Sequence, residues 1–354
     1  MCFSLSKTQA RAWFFEQFED VPGGQQLWGT YQIEGALDVH ALYWCLQAQV
    51  TSHDLLKLYV DSKDGQPVAS LRERVKPLDF LDMSALPESG RLPTAMQLLH
   101  EARCAPLPLT RQCWRFLLVK LSPRKYLLQL TLHRMVADEH SLHLLLSELG
   151  TLYRQRVEAG PMLLYEEATT YQQLTSSHEK RKTLPVWWTK QLGLPVRTLG
   201  EPPARALLFG VTAPPGLHNQ AGVIHFRLPT ALLNQVALHA KSSGVTLETL
   251  CFTSYLILLR ALSGHDQLIV ALHRPGRAQP GAMGVVGPLE NPVPVRSRLA
   301  GTDNFNGCLK QVHDYLESAM DASIWPFANL VEALGLKRHL DREALVQLGF
   351  GLHE

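Results

Sequence analysis

The segment Leu130-Thr131-Leu132-His133-Arg134-Met135-Val136-Ala137-Asp138-Glu139-His140-Ser141 sets a histidine and a carboxylate directly after an apolar, strand-like run and before a helical one. Junctions of that kind present side chains at the end of a sheet, where an imidazole can accept a proton and a carboxylate can hold a cation. Taken alone, a histidine and an aspartate five residues apart are better read as a satisfied structural histidine and a helix-capping Asp138. His140 and His143, near the same helix start, read as surface or satisfied histidines.

The elements that would hold this junction are legible around it. Ser6 and Gln9 form a capping-box pattern ahead of Ala10, Trp13, Phe14 and Phe18, so a helix is expected from about Ser6. Asp38 is placed to cap a second helix carrying Leu42, Cys45 and Leu46. Leu55 to Val60 and Gln66 to Leu71 flank an Asp64-Gly65 turn signal, the pattern of a hairpin. Trp114 to Leu121 and Tyr126 to Met135 are apolar runs joined by Ser-Pro-Arg-Lys, which predicts a second, buried hairpin, with a helix following from about Ser141.

From about residue 158 to 221, seven prolines from Pro161 to Pro215 break any long period, and the lobe boundary is placed there. Beyond it the pattern predicts a strand over Val223 to Leu228 and a helix over Thr230 to Lys241. A Thr246-capped helix runs toward Gly264, followed by a strand over Leu268 to His273. A strand over Pro292 to Arg296 and a helix from about Asp303 to Met320 come next, and Leu345 to Leu352 is an apolar, strand-like run. The expected division is 1–160, a connecting segment 161–221, and 222–354. The fold class is α/β (α+β) in two lobes, the second incomplete at its last strand.

Composition limits the chemistry. With 354 residues, 46% of them apolar and 19% charged, the chain can bury one or two domain cores. Its 34 basic and 32 acidic residues leave +2, too even for a protein built to hold nucleic acid or an anionic membrane. The six cysteines, Cys2, Cys45, Cys104, Cys113, Cys251 and Cys308, form no CxxC pair and no zinc-ligand spacing. Reduced thiols, the lack of a signal-peptide pattern and the lack of about 18 uninterrupted apolar residues together predict a cytoplasmic protein that binds no metal.

Several segments, in order, resemble the condensation domains of nonribosomal peptide synthetases. Leu5 to Trp13 is similar to that family's SxAQxRLW motif, His53 to Lys57 to RHExLR, and His133 to Glu139 to HHxxxDG. Trp187 to Leu192 resembles YWxxQL, and Val286 to Arg296, including Gly287 and Asn291, resembles IGxFVNTxxLR. Pro326-Phe327 and Arg338 to Leu345 echo PFE and RDxSRNPL. The resemblance implies two chloramphenicol-acetyltransferase-like lobes forming a V, with a tunnel at their interface. Carrier proteins would dock at its two ends, each bringing a thioester on a phosphopantetheine arm. An amine on one would attack the thioester on the other, and the domain itself would bind no cofactor.

In the family motif the second histidine faces the reacting amine, while the first histidine and the aspartate are structural. Here the second position is Arg134, whose guanidinium stays protonated and donates only. Arg134 is expected to fill the tunnel or to pair with Asp138 or Glu139. His133, on the opposite side of the strand, is the weaker candidate base. Asp138 is expected to pair with an arginine, Arg296 first and Arg342 second. Glu139 replaces the motif glycine, Ala322-Ser323-Ile324-Trp325 lacks the polar HQD residues before PFE, and Asn291-Pro292 replaces Asn-Thr.

The HRxxxDE pattern is similar to that of noncatalytic condensation-like domains of glycopeptide synthetases, which recruit cytochrome P450 enzymes. Three functions are therefore open at this stage. The chain is a weakly active or inactive domain that docks carriers or other synthetase modules and recruits a tailoring enzyme, a condensation enzyme that works by positioning alone, or a decayed fragment.

Overall fold

Local sequence signals become the hydrogen bonds that start several of the elements. A computed structural model of the chain describes residues 2–17, 24–73, 78–158, 169–179, 186–192, 224, 226–299, 304–319, 325–335, 345–346 and 348–352. In the first helix, α1 (Lys7–Glu16), both capping-box bonds form: Gln9 N donates to Ser6 Oγ at 3.2 Å, and Ser6 N to Gln9 Oε1 at 3.0 Å. Asp38 caps α2 (Val39–Ser52) by accepting from Ala41 N at 3.0 Å. The Asp64-Gly65 turn joins β3 (Leu58–Lys63) to β4 (Gln66–Leu71), its two residues at φ 52° and 71°, the left-handed pair that a two-residue hairpin loop requires.

The described residues divide into two compact units. The first joins residues 1–177 with Arg277–Leu289 from much later in the chain, and the second comprises the remainder. In the first unit a sheet of order β2 (Gln26–Glu34), β7 (Lys125–His133), β6 (Trp114–Ser122), β5 (Asp79–Asp82) is antiparallel except for the β5–β6 pair. A smaller antiparallel sheet runs β1 (Cys2–Phe3), β4, β3.

β7 is buried almost without interruption because both of its faces are covered. Tyr126, Leu128, Leu130 and Leu132 meet Leu42, Leu46 and Val50 of α2 and Leu142, Leu145 and Leu149 of α4 (Glu139–Val157) in one core. Leu127 on the other face belongs to a smaller cluster with Ala95 and Leu99 of α3 (Glu88–Cys104). At the margin of the main core, His53 and Glu148 are both buried and meet at 2.7 Å, tying the end of α2 to the middle of α4. The helix expected from Ser141 starts at Glu139, two residues earlier, because Asp138 is its N-cap.

After α5 (Tyr171–Glu179), which begins in the first unit, the second unit contains α6 (Val186–Leu192), α7 (Thr230–Ser242), α8 (Leu247–Ser263), α9 (Phe305–Ser318) and α10 (Phe327–Ala333). Its three-stranded sheet runs β10 (Gly349–Phe350), β8 (Gln267–Arg274), β9 (Asn291–Arg298), with β10 parallel and β9 antiparallel to β8. One apolar cluster combines Leu268, Val270 and Leu272 with Phe252 and Leu256 of α8 and Val312 and Leu316 of α9. A second combines Ala271 with Trp188, Leu192, Trp325, Phe327 and Leu330. Thr246 and the left-handed Gly264, at φ 70°, bound α8 as its sequence predicts.

Two expectations need correction. Residues 224 and 226–228 are outside any strand, and Ile224 and Phe226 are exposed, so the apolar alternation there is not used in a described sheet. The final strand shrinks to Gly349–Phe350. Most of the connecting segment 161–221, the segment 322–324 and the echo over 338–344 lie outside the described residues.

Burial also fixes thiol chemistry. Desolvation pushes Cys45 up to about 11 and Cys113 up to about 12. Because these folded values exceed the ordinary thiol value of about 8.5, their contribution to stability is complete below that pH and is lost as pH climbs toward the folded values. Iodoacetamide at pH 8 followed by peptide mapping should label exposed Cys104 and spare Cys45 and Cys113 until denaturant is added. Labelling of Cys113 in the native protein would contradict its burial.

Candidate functional site

The motif is built where β7 ends. His133 N donates to Cys113 O at 2.8 Å, Arg134 N to Gln25 O at 2.8 Å and Val136 N to His133 O at 2.9 Å, so the strand turns away at residue 134. His133 is buried, and its Nδ1 accepts from Met135 N at 3.1 Å. In the neutral ring Nε2 therefore carries the proton, and it faces Glu16 Oε2 at 3.3 Å. α1 adds a second tie, since Gln9 Nε2 donates to Met135 O at 2.9 Å. Trp13, from the opening motif, is partly buried against the first-unit core.

Arg134 points the other way. Its side chain is exposed, and among the described residues it makes no hydrogen bond or ion pair. The expected pairing with Asp138 or Glu139 does not occur, because other groups already engage Asp138. Arg277 clasps that carboxylate with both terminal nitrogens, NH1 to Oδ2 at 2.7 Å and NH2 to Oδ1 at 2.8 Å. Ser141 N donates to Oδ1 at 2.9 Å, Ser141 Oγ lies 2.6 Å from the same oxygen, and Leu289 N donates to Oδ2 at 3.0 Å. Aspartate at the N-cap and a bidentate arginine together make a buried, fully engaged carboxylate.

This corrects the choice of partner. Arg296 lies in the second unit, where it donates to Leu192 O at 3.0 Å and Gln267 Oε1 at 2.8 Å. Arg342 lies outside the described residues. Sequence reading misses the pairing arginine, Arg277. The signal for it is Gly276-Arg277 after the β8 run, ten residues before Gly287 of the IGxFVNTxxLR-like segment.

Gly287 belongs to the same network. Its N–H donates to Ser141 Oγ at 3.0 Å, and its carbonyl accepts from Arg277 NH2 at 3.1 Å. The Tyr171 ring lies directly over it: a Cβ at 287 would clash with Tyr171 Cδ2 and stand 3.1 Å from Leu55 Cδ1. Tyr171 is in turn 2.8 Å from Ser6 Oγ, the α1 cap. Gly287→Ala is therefore expected to cost about 1–3 kcal/mol through overpacking, measured by urea unfolding. An unchanged midpoint would mean that the ring yields freely.

The remaining predicted residues have structural roles in this geometry. Glu139 sits in the first turn of α4, where acidic residues suit the helix dipole. Burial and the Glu139 charge push the Tyr31 phenol upward. Asn291 is in the second unit, where its Nδ2 donates to Trp325 O at 2.9 Å and its Oδ1 accepts from Phe327 N at 2.8 Å, fastening β9 to the start of α10.

A mixed helix and sheet chain with a strand-end His-x4-Asp motif, its aspartate clasped by a distant arginine, has the architecture of the chloramphenicol-acetyltransferase-like proteins. The Condensation domain family model matches residues 2–353, and the chain belongs to the condensation-domain family of nonribosomal peptide synthetases. It is 24% identical over 352 residues to surfactin synthase subunit 1 of Bacillus subtilis (strain 168), covering 99% of this chain and 9% of that protein. It is 26% identical over 363 residues to cyclosporin synthetase simA of Tolypocladium inflatum, covering 98% of this chain and 2% of the synthetase. The chain thus spans only a small part of the length of either relative.

Among solved structures, the first condensation domain of the calcium-dependent antibiotic synthetase, in complex with a substrate analogue, superposes with a TM-score of 0.79 at 18% identity. The match covers 99% of this chain and 80% of that one. The X-domain from teicoplanin biosynthesis, solved in complex with OxyB, superposes with a TM-score of 0.75 at 21% identity, covering 98% and 76%.

Proposed function

We propose that this chain is a carrier-docking condensation-type domain whose HRxxxDE motif supplies no base, so that amide formation through the motif is weak or absent. It acts by holding carrier-bound thioesters within a synthetase or by recruiting a tailoring enzyme to them. The observation that carries this reading is the state of the two motif residues. Arg134 is exposed, unpaired among the described residues and unable to accept a proton, while the buried His133 already accepts at Nδ1 and faces a carboxylate with Nε2–H.

The Asp138–Arg277 network, by contrast, is complete, which supports a fold kept for binding after the motif's proton acceptor was replaced. On this reading the domain binds no cofactor itself, its substrates arrive on phosphopantetheine arms of carrier proteins, and it works in the cytoplasm. Likeness to the X-domain solved with OxyB favours recruitment of a cytochrome P450 as the form that docking takes.

The test is an intact-mass assay of loaded donor and acceptor carriers. They are mixed with this protein, with its Arg134→His form, and with an established condensation domain that accepts the same substrates. Ready product from the established domain and at most slow product from this protein, with both carriers retained in a binding assay, is the expected result. Ordinary turnover by the unmodified protein would overturn the proposal.

A further inference from the structure

The second unit holds a histidine–carboxylate pair that the motif does not use. β8 ends in His273 and Arg274, and β9 begins one residue after Glu290, with His273 opposite Pro292 in the antiparallel ladder. That register brings His273 Nδ1 to 2.5 Å from Glu290 Oε1. An ionised carboxylate only accepts, so Nδ1 carries the proton, and in the neutral ring Nε2 keeps its lone pair.

Neighbouring Arg274 is turned to Glu248. The His273 side chain is 38% exposed, and among the described residues its Nε2 has no hydrogen-bond partner. Gly349 of β10 lies beside that nitrogen, where a Cβ would stand 2.8 Å from Nε2. Gly349 is not among the glycines at positive φ, so the backbone does not demand glycine there. What glycine provides is room next to the lone pair.

We propose that His273, oriented by Glu290, is the proton acceptor for the amine in whatever amide formation this chain retains. The inference rests on the reading above that the HR motif lacks a base. The substrates are an amine and an acyl thioester, both carrier-bound. The amine nitrogen attacks the thioester carbonyl carbon, a C–N bond forms, and the amine proton passes to His273 Nε2. The C–S bond breaks, and the departing thiolate takes the proton from the imidazolium, returning the ring to its neutral form. Glu290 holds the ring in the tautomer that leaves Nε2 free and balances the transient positive charge.

The experiment is the carrier assay with the full chain and its His273→Gln, Glu290→Gln and Gly349→Ala forms, each first shown to keep the parental thermal unfolding midpoint. A low parental turnover is expected. His273→Gln should reduce kcat by about a hundredfold or more with KM unchanged. Glu290→Gln, a change in a positioning residue, should reduce kcat by less, again with KM unchanged. Gly349→Ala should also lose turnover although it removes no reactive group. A parent that forms no product overturns this inference and leaves the docking reading standing. Product formation that survives His273→Gln overturns it too, and if that rate is ordinary for the family, the docking reading falls with it.

Discussion

Asp138→Ala is expected to lower the unfolding free energy of the chain by about 3–5 kcal/mol, because it strands a buried guanidinium without its counter-charge. Arg277 and Asp138 side chains are 1% and 5% exposed, so water cannot replace the lost partner in place. The same change removes the N-cap of α4 and the acceptor for Leu289 N. Urea unfolding with a spectroscopic readout checks it. Asp138→Leu combined with Arg277→Met should recover much of the loss, since removing both charges ends the desolvation penalty that removing one exposes. An Asp138→Ala protein within about 1 kcal/mol of the parent would show that the clasp is not buried in solution.

Arg134→His is expected to raise amide formation by about 10²–10⁴-fold, the usual worth of a positioned general base, if the motif's only defect is its missing acceptor. The position is ready for it. The backbone at 134 is pinned to Gln25 O, and among the described residues the side chain makes no hydrogen bond or ion pair, so imidazole replaces guanidinium without breaking one. Intact-mass rates for the two proteins, compared at equal carrier loading, give the ratio directly. A ratio near one would place the defect outside residue 134. The departures at Glu139 and at Asn291-Pro292 would then be the next changes to revert.

Much of this architecture is written locally. The Ser6–Gln9 capping box, the Asp38 and Thr246 caps and the Asp64-Gly65 turn involve neighbours three residues apart or fewer, and each forms as its residue types dictate. β2 escapes a sequence reading, because Gln26–Glu34 interrupts its alternation with Gly29 and keeps only Leu27 and, in part, Tyr31 and Ile33 on the core face. α3 escapes it for a related reason: Gly90 and Pro93 fall in its first two turns and argue against a helix that Ala95 and Leu99 nonetheless anchor.

At the site, the motif residues are identified from resemblance, and the chemical disability of Arg134 follows from its functional group alone. Which arginine balances Asp138 does not follow. That choice spans 139 residues and depends on a loop returning from the other half of the chain. Arg296 has the right charge but sits on a strand whose neighbours are Leu192 and Gln267.

That returning loop has a consequence for how the protein is made. The first unit needs Arg277–Leu289 to neutralise Asp138 and to supply the Gly287 and Leu289 backbone donors, yet α7, α8 and β8 emerge from the ribosome before it does. During synthesis, at roughly 5–20 residues per second, the first 177 residues would wait several seconds with a buried carboxylate lacking its cation. The native state of the first unit is thus sealed only after most of the second unit has been translated.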